Sequence, residues 1–157
     1  MAITPKAGTF PFVLHAEGSG VYQTITAGDH TFAADAYPAF GGRDSAPSPL
    51  LYALAALSSC NQVTASLVAR ELGITLGQWR FDVQGDLDTG VFVNGEEGHG
   101  SFDTVTIVVT VETDATDEQL ATLASEVERR CPVSQLIKRS GTPLSSTWTK
   151  TDLRPPG

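Results

Sequence analysis

Residues 48–73, SPLLYALAALSSCNQVTASLVARELG, decide how the rest of this chain has to fold. Ser48 suits an N-cap, Pro49 suits the first helical position, and Gly73 suits the left-handed residue that stops a helix. The stretch therefore predicts one helix of about 24 residues, roughly 36 Å long at 1.5 Å per residue. From Leu50 to Leu57 it is apolar on every side, the pattern of an element that is surrounded, not laid on a surface. Ala53, Ala55, Ala56, Ser58 and Ser59 are small enough to let other backbones approach closely. Cys60 stands in the middle, on a face with Ala56, Leu57, Val63, Thr64 and Leu67, and Asn61 and Gln62 bring polarity directly after it.

On the N-terminal side, GTFPFVLHAE, the following GSG and GVYQTITAGDHTFAADA predict a meander of three short strands near 10–16, 21–26 and 30–34. Its turns fall at Gly18–Gly20 and Gly28–Asp29. The Gly/Pro/Ser-rich YPAFGGRDSAPSP then leads into the helix. On the C-terminal side, QWRFDVQGD alternates Trp79, Phe81 and Val83 with Arg80, Asp82 and Gln84. SFDTVTIVVTVE likewise sets Val105, Ile107, Val109 and Val111 against Thr104, Thr106, Thr110 and Glu112. One face of each strand is polar, which predicts antiparallel sheets with a wet side. GVFVNGEEGHG between the two strands predicts a mobile hairpin loop.

Thr116 and Gln119 have capping-box spacing and open a helix through DEQLATLASEVERR. Cys131 interrupts it, Pro132 restarts a short helix over PVSQLIKR, and a last strand runs through LSSTWTKT. With no internal repeat and no linker, residues 1–157 are expected to form a single α+β domain, a size that suits one compact core.

Eighteen acidic side chains against ten basic ones give a formal net charge of −8, with no Lys/Arg-rich run. Nucleic acid and anionic membranes are therefore poor partners. The N-terminal residues lack the pattern of a signal peptide, and the apolar run at 49–57 is short of spanning length, so a cytoplasmic location is expected. His15, His30 and His99 fall in a strand, a turn and a loop without metal-ligand spacing, and neither a metal nor a bound cofactor is expected. No GxSxG, P-loop or GxGxxG stretch occurs.

That leaves the two cysteines. In a reducing compartment they suit buried thiols or redox chemistry better than a permanent disulfide. Cys131 is the stronger candidate by position, because its sulfur sits where Pro132 begins a helix and free backbone N–H groups favour a thiolate. Arg129, Arg130, Lys138 and Arg139 surround it in sequence, four of the ten basic residues. The plain alternative is a small core side chain at Cys60 and dipole-complementing arginines at a helix end.

HTFAADAYPAFGGRDSAPSPLLYALAALSSC, followed seventy-one residues later by CPVSQLI, resembles the OsmC/Ohr family of osmotically inducible and organic-hydroperoxide-resistance proteins. The most specific parts are APSPLL at the helix entry, the cysteine eleven residues after Pro49, and CPV at the second cysteine. The resemblance implies an OsmC-like α+β fold in which antiparallel sheets wrap a long buried central helix and two chains intertwine as a homodimer. It also implies a thiol-dependent peroxidase of the oxidative-stress response. In that chemistry Cys60 attacks the peroxide O–O bond and becomes a sulfenic acid. Cys131 then closes a disulfide that an external dithiol reduces. Apolar walls such as Leu54, Leu57 and Leu67 would suit an organic hydroperoxide.

The sequence departs from the hydroperoxide-reducing members at two places. Their N-terminal hairpin carries an arginine that stabilises the thiolate, whereas here the turn reads AEGSGVYQ. A glutamate begins their long helix, whereas here SPLLYAL has Leu50 and Leu51 in its place. Arg43, in GGRDSAPSP, is the candidate substitute. Two other functions stand beside the peroxidase: a redox-capable dimer that binds an apolar small molecule at its interface, and a hotdog-type thioesterase, for which the long helix offers no evident carboxylate.

Overall fold

The computed structural model describes residues 7–154. Contacts gather in two compact units, one up to Tyr52 and one from Ala53 onward, with the long helix running across the division.

The first unit is an antiparallel meander of β1 (His15–Ser19), β2 (Tyr22–Ala27) and β3 (His30–Ala34). Ser19 pairs with Tyr22 and Ala27 with His30, so each turn has two residues, and each starts with a glycine of positive φ, Gly20 at +63° and Gly28 at +59°. Glycine adopts that backbone without steric cost. The first strand begins later than the sequence predicts. A strand needs a ladder partner, and the ladder with β2 ends at His15 opposite Thr26, one residue short of the end of β2, so residues 10–14 run on outside it with Phe10, Phe12, Val13 and Leu14 exposed. A short 3₁₀ turn, Pro38–Phe40, follows β3. The loop after it is organised by Asp35, whose carboxylate accepts from Ser45 Oγ (2.7 Å), Ser45 N, Arg43 N and Ala36 N.

Helix α1 covers Pro49–Leu72, the span expected. Ser48 Oγ accepts from Leu51 N, and the hydroxyl of Tyr52, in the first turn, donates to the Ala33 carbonyl (2.6 Å). At the far end Gly73 has φ +68°, and Ile74 N donates to Ala69 O. That bond is the long-range one of a Schellman stop, with Ile74 and Ala69 packed in the same apolar cluster.

The second unit holds a three-stranded sheet, β4 (Leu76–Asp86), β5 (Thr104–Thr113) and β6 (Leu144–Thr151), in that spatial order. β4 and β5 are antiparallel, with Phe81 opposite Val109, but β6 runs parallel to β5, with Val109 opposite Trp148. The expectation of purely antiparallel sheets is therefore corrected here. A half-wet strand reports which face is buried, not which way its neighbour runs. The direction is set by the connection, and between β5 and β6 lie α2 (Asp117–Arg130) and α3 (Pro132–Arg139), a helical crossover long enough for a parallel return. The β4–β5 connection also differs from a plain hairpin loop, because Gly90–Asn94 forms a single π-helical turn.

Val105, Ile107, Val109 and Val111 turn inward from β5 as the alternation predicts, and each is essentially inaccessible. Leu57 of α1 packs on the first three, and Ala65, Val68 and Ala69 join Val111 with Leu120, Leu123 and Val127 of α2. Trp79 stacks on Phe81 (5.5 Å between centroids) and meets Trp148 edge-on (5.9 Å). Glu112, expected on the wet face, is instead buried at the end of β5, where it accepts from Gln78 N and pairs with Arg154 at 2.7 Å.

The first half of α1 is not surrounded within one chain. Leu50 and Leu51 are each 45% exposed, and Ala53, Ala55 and Ala56 are open as well. The buried residues of the helix lie from Leu57 onward along one face: Leu57, Asn61, Thr64, Ala65, Val68 and Ala69.

Candidate active site

Helix α1 presents Cys60 toward the junction of α2 and α3, and the chain at that junction is Cys131. The residue closes α2, its N–H donating to Val127 O, and opens α3, its carbonyl accepting from Gln135 N. Pro132 permits both roles, because at the first position of a helix its missing N–H is not needed and its ring prevents α2 from continuing. Cys131 therefore has extended backbone, φ −70° and ψ 116°, and its sulfur folds over the first turn of α3 as an N-cap acceptor, 3.4 Å from Ser134 N.

Both cysteines are free thiols. Cys131 is fully buried within the cluster of Val68, Leu123 and Val127, and Cys60, half-buried, packs on the same cluster. The two thiols border the same cluster, near enough for each to influence the ionisation of the other. Two cysteines seventy-one residues apart in the chain therefore border one apolar cluster.

Two further residues complete the site. Asn61 and Ser134, both nearly inaccessible, connect the helices: Asn61 Nδ2 donates to Ser134 Oγ (3.0 Å), approaches Cys131 Sγ (3.4 Å), and reaches back to Leu57 O (3.0 Å). The sequence carried a signal for the first of them. Asparagine is a poor residue for a helix interior unless its amide is used, and Asn61 directly follows the thiol in the middle of a long helix. Ser134 was visible only as the third residue of the short helix.

Burial acts on both sulfurs and disfavours ionisation at each, yet the pair divides. At Cys131 burial is opposed by the hydroxyl and N–H of Ser134, by the Cys60 thiol and by Val133 N–H, and the net direction is down from the ordinary thiol value. At Cys60 burial pushes the thiol up, and the neighbouring Cys131 sulfur pushes it further against the pull of Val133 N–H. One thiolate in the pair suppresses the second.

The basic residues next to Cys131 do not supply this effect. Arg130 forms a two-pronged pair with Glu71 (2.7 and 2.9 Å), Arg129 does the same with Glu126, and Lys138 is held by Glu128. All three are engaged by surface carboxylates, where such ion pairs contribute little. Their sequence proximity to Cys131 is a consequence of its place between two helix ends. Arg43 belongs to the N-terminal unit, where it is exposed and its N–H donates to Asp35 Oδ2 (3.2 Å). Glu71, the one carboxylate on α1, sits in its last turn in the pair with Arg130. Among the described residues no group of three or more His, Cys, Asp or Glu side chains is arranged to hold a metal ion.

A long helix carrying one thiol, set against a helix–proline–helix junction carrying the other, over a mixed three-stranded sheet, defines a class of small α+β two-thiol proteins. The chain belongs to the OsmC-like protein family, whose model matches residues 42–147. Comparison with curated proteins found no match. Among solved structures, an OsmC-like protein from Mycoplasma pneumoniae superposes with a TM-score of 0.73 at 18% identity, covering 92% of this chain and 99% of that one. An organic hydroperoxide resistance protein from Elizabethkingia anophelis gives 0.71 at 18% identity over 92% and 99%. The organic hydroperoxide resistance protein OhrB of Bacillus subtilis gives 0.63 at 22% identity over 89% and 98%. At such identities the likeness is one of fold.

Proposed function

We propose that the protein is a thiol-dependent reductase of organic hydroperoxides that uses Cys60 and Cys131. The observation that carries this reading is the placement of two free thiols at one largely apolar cluster, one of them at a helix start furnished with hydrogen-bond donors. Structural neighbours named for organic hydroperoxide resistance support the choice of substrate class.

In the proposed reaction the Cys60 sulfur attacks one peroxide oxygen, the O–O bond breaks, and the alcohol leaves. Cys131 then attacks the Cys60 sulfenic acid, displacing hydroxide and forming a disulfide before further oxidation occurs. An external dithiol returns the pair to thiols, with no metal or bound cofactor. The working unit is an intertwined homodimer in the cytoplasm, formed by a single domain per chain. A dimer that holds an apolar small molecule is the second reading, favoured by the open apolar face of α1. Nothing in the site favours a thioesterase.

Consumption of cumene hydroperoxide with a dithiol reductant tests the proposal. Activity is expected, and it should be lost in both Cys60→Ser and Cys131→Ser. Mass spectrometry after mild peroxide treatment should show one intramolecular disulfide, absent from either variant. Arg43→Ala slows the reaction if that guanidinium replaces the family's hairpin arginine and leaves it unchanged otherwise. Persistently free thiols after peroxide treatment, with no turnover, would sink the reading.

A further inference from the structure

The hairpin arginine of hydroperoxide-reducing family members has no counterpart in this chain's AEGSGVYQ turn, so the thiol pair needs another source of activation. We propose that Asn61 and Ser134 act as positioning residues that hold Cys131 as the thiolate, and that Cys131 is the proton acceptor that activates Cys60. The inference rests on the peroxidase reading for its catalytic step and on the arrangement of hydrogen-bond donors for where the thiolate lies.

The donors converge on one sulfur. Ser134 N is 3.4 Å from Cys131 Sγ, and Asn61 Nδ2, whose two hydrogens serve Leu57 O and Ser134 Oγ at 3.0 Å each, shares one of them with the sulfur at 3.4 Å. Ser134 Oγ accepts from Asn61 at 3.0 Å, which leaves its single hydrogen free to turn toward the Cys131 sulfur. A sulfur receiving donors on these sides is stabilised as an anion. Cys60 is differently placed. The hydroxyl of Thr64 gives its hydrogen to the Cys60 carbonyl at 2.8 Å, so that it helps the Cys60 sulfur least, after Val133 N–H.

Charge does not alter this ordering. The sheet contributes Trp79, Val111 and Trp148 to the surrounding cluster, and α1 contributes Cys60 as its titratable group. The charged residues of α2 and α3 near the junction, Glu126, Glu128, Arg129, Arg130 and Lys138, are bound to one another or to Glu71, and Arg139 is exposed. The downward displacement of Cys131 and the upward one of Cys60 agree with the same distribution of donors.

The chemistry balances through one shared proton. Cys60 passes its proton to the Cys131 thiolate as its sulfur lone pair attacks the peroxide: an S–O bond forms, the O–O bond breaks, and the alkoxide takes the proton from Cys131 and leaves as alcohol. Cys60 is then a sulfenic acid and Cys131 is again a thiolate. Its attack on the Cys60 sulfur forms the S–S bond and breaks the S–O bond, and the departing hydroxide takes a proton from solvent to become water. The two sulfurs are oxidised and the hydroperoxide reduced, and an external dithiol resets the pair.

Carbon-13 NMR of Cβ-labelled cysteine, recorded against pH in single-cysteine variants, tests the assignment without turnover. In Cys60→Ser the Cys131 midpoint should lie below the ordinary value of about 8.5, and in Cys131→Ser the Cys60 midpoint should lie above it. Adding either Asn61→Ala or Ser134→Ala to Cys60→Ser should raise the Cys131 midpoint, and two variants guard against one failing to fold. In the chain with both cysteines, Asn61→Ala should slow hydroperoxide consumption at pH 7 about tenfold, with recovery toward alkaline pH. Midpoints in the reverse order, or a Cys131 midpoint unmoved by both substitutions, overturn the proposal even if the protein is an active peroxidase. The expected midpoints in a protein that consumes no hydroperoxide overturn the catalytic role and uphold the placement of the thiolate.

Discussion

Asp35 shows how a single residue can order a loop. It is nearly inaccessible, yet it carries a charge, because Ser45 donates through both its hydroxyl and its N–H and the main chain of Ala36 and Arg43 adds two more donors. The Ser45 hydroxyl contributes most, and together these bonds hold the carboxyl well below the usual carboxylate range. A group whose folded-state pKa is depressed stabilises the fold above its unfolded pKa, here 3.8, and loses that contribution as pH falls through that value and on toward the folded one. The melting temperature should therefore drop between pH 5 and pH 3. Asp35→Asn should lower it at pH 7 and flatten that dependence, as read by circular dichroism. An unchanged slope in the variant would mean that other carboxylates govern the acid limb.

At the scale of elements, α2 positions Cys131 through its two ends. Its start is secured reciprocally, Thr116 Oγ1 accepting from Gln119 N (3.2 Å) and Gln119 Oε1 from Thr116 N (2.9 Å). Asp117 and Glu118 follow in its first turn, and Arg129 and Arg130 occupy its last, as the helix dipole favours. Loss of this cap in Thr116→Ala should cost about 1 kcal/mol of stability. The inner face does more. Leu123 and Val127 are fully buried beside Cys131, and Leu123→Ala should cost about 2–5 kcal/mol through lost burial and the cavity left behind. Urea denaturation measures both, and equal effects from the two substitutions would contradict this account of what holds the helix.

For the whole molecule, the open apolar surface is the largest energetic demand left within one chain. Helix α1 is long and apolar enough to cross a membrane by length and composition, yet only 33% of its apolar stretch is buried within the chain. Leu50 and Leu51 are exposed on it, and Phe10, Phe12, Val13 and Leu14 are exposed ahead of β1. Apolar surface of this extent calls for a partner, and a second copy is the proposed one, with an interface of roughly 2,000 Å² or more. Light scattering at micromolar concentration should give twice 16.6 kDa. A stable monomer at that concentration would remove the homodimer from the proposal.

The sequence by itself determined what depends on neighbouring residues. Ser48, Pro49 and Gly73 mark the bounds of α1, Thr116 and Gln119 open α2, and the alternation from Thr104 to Val111 tells the buried face of β5 from the open one. Each is a local signal of capping or periodicity. The family was legible in the same way, through the helix entry and the two cysteines with their flanking residues. Only the tertiary structure decided what depends on pairs distant in the chain. The parallel run of β6 follows from where α2 and α3 return the backbone, which strand alternation does not record. Arginines adjacent to Cys131 in sequence turn to surface glutamates, whereas Asn61, seventy residues away, reaches its sulfur. A helix junction can carry neighbours to opposite faces and bring side chains from separate helices into one buried space, so the donors around a thiol are set by packing.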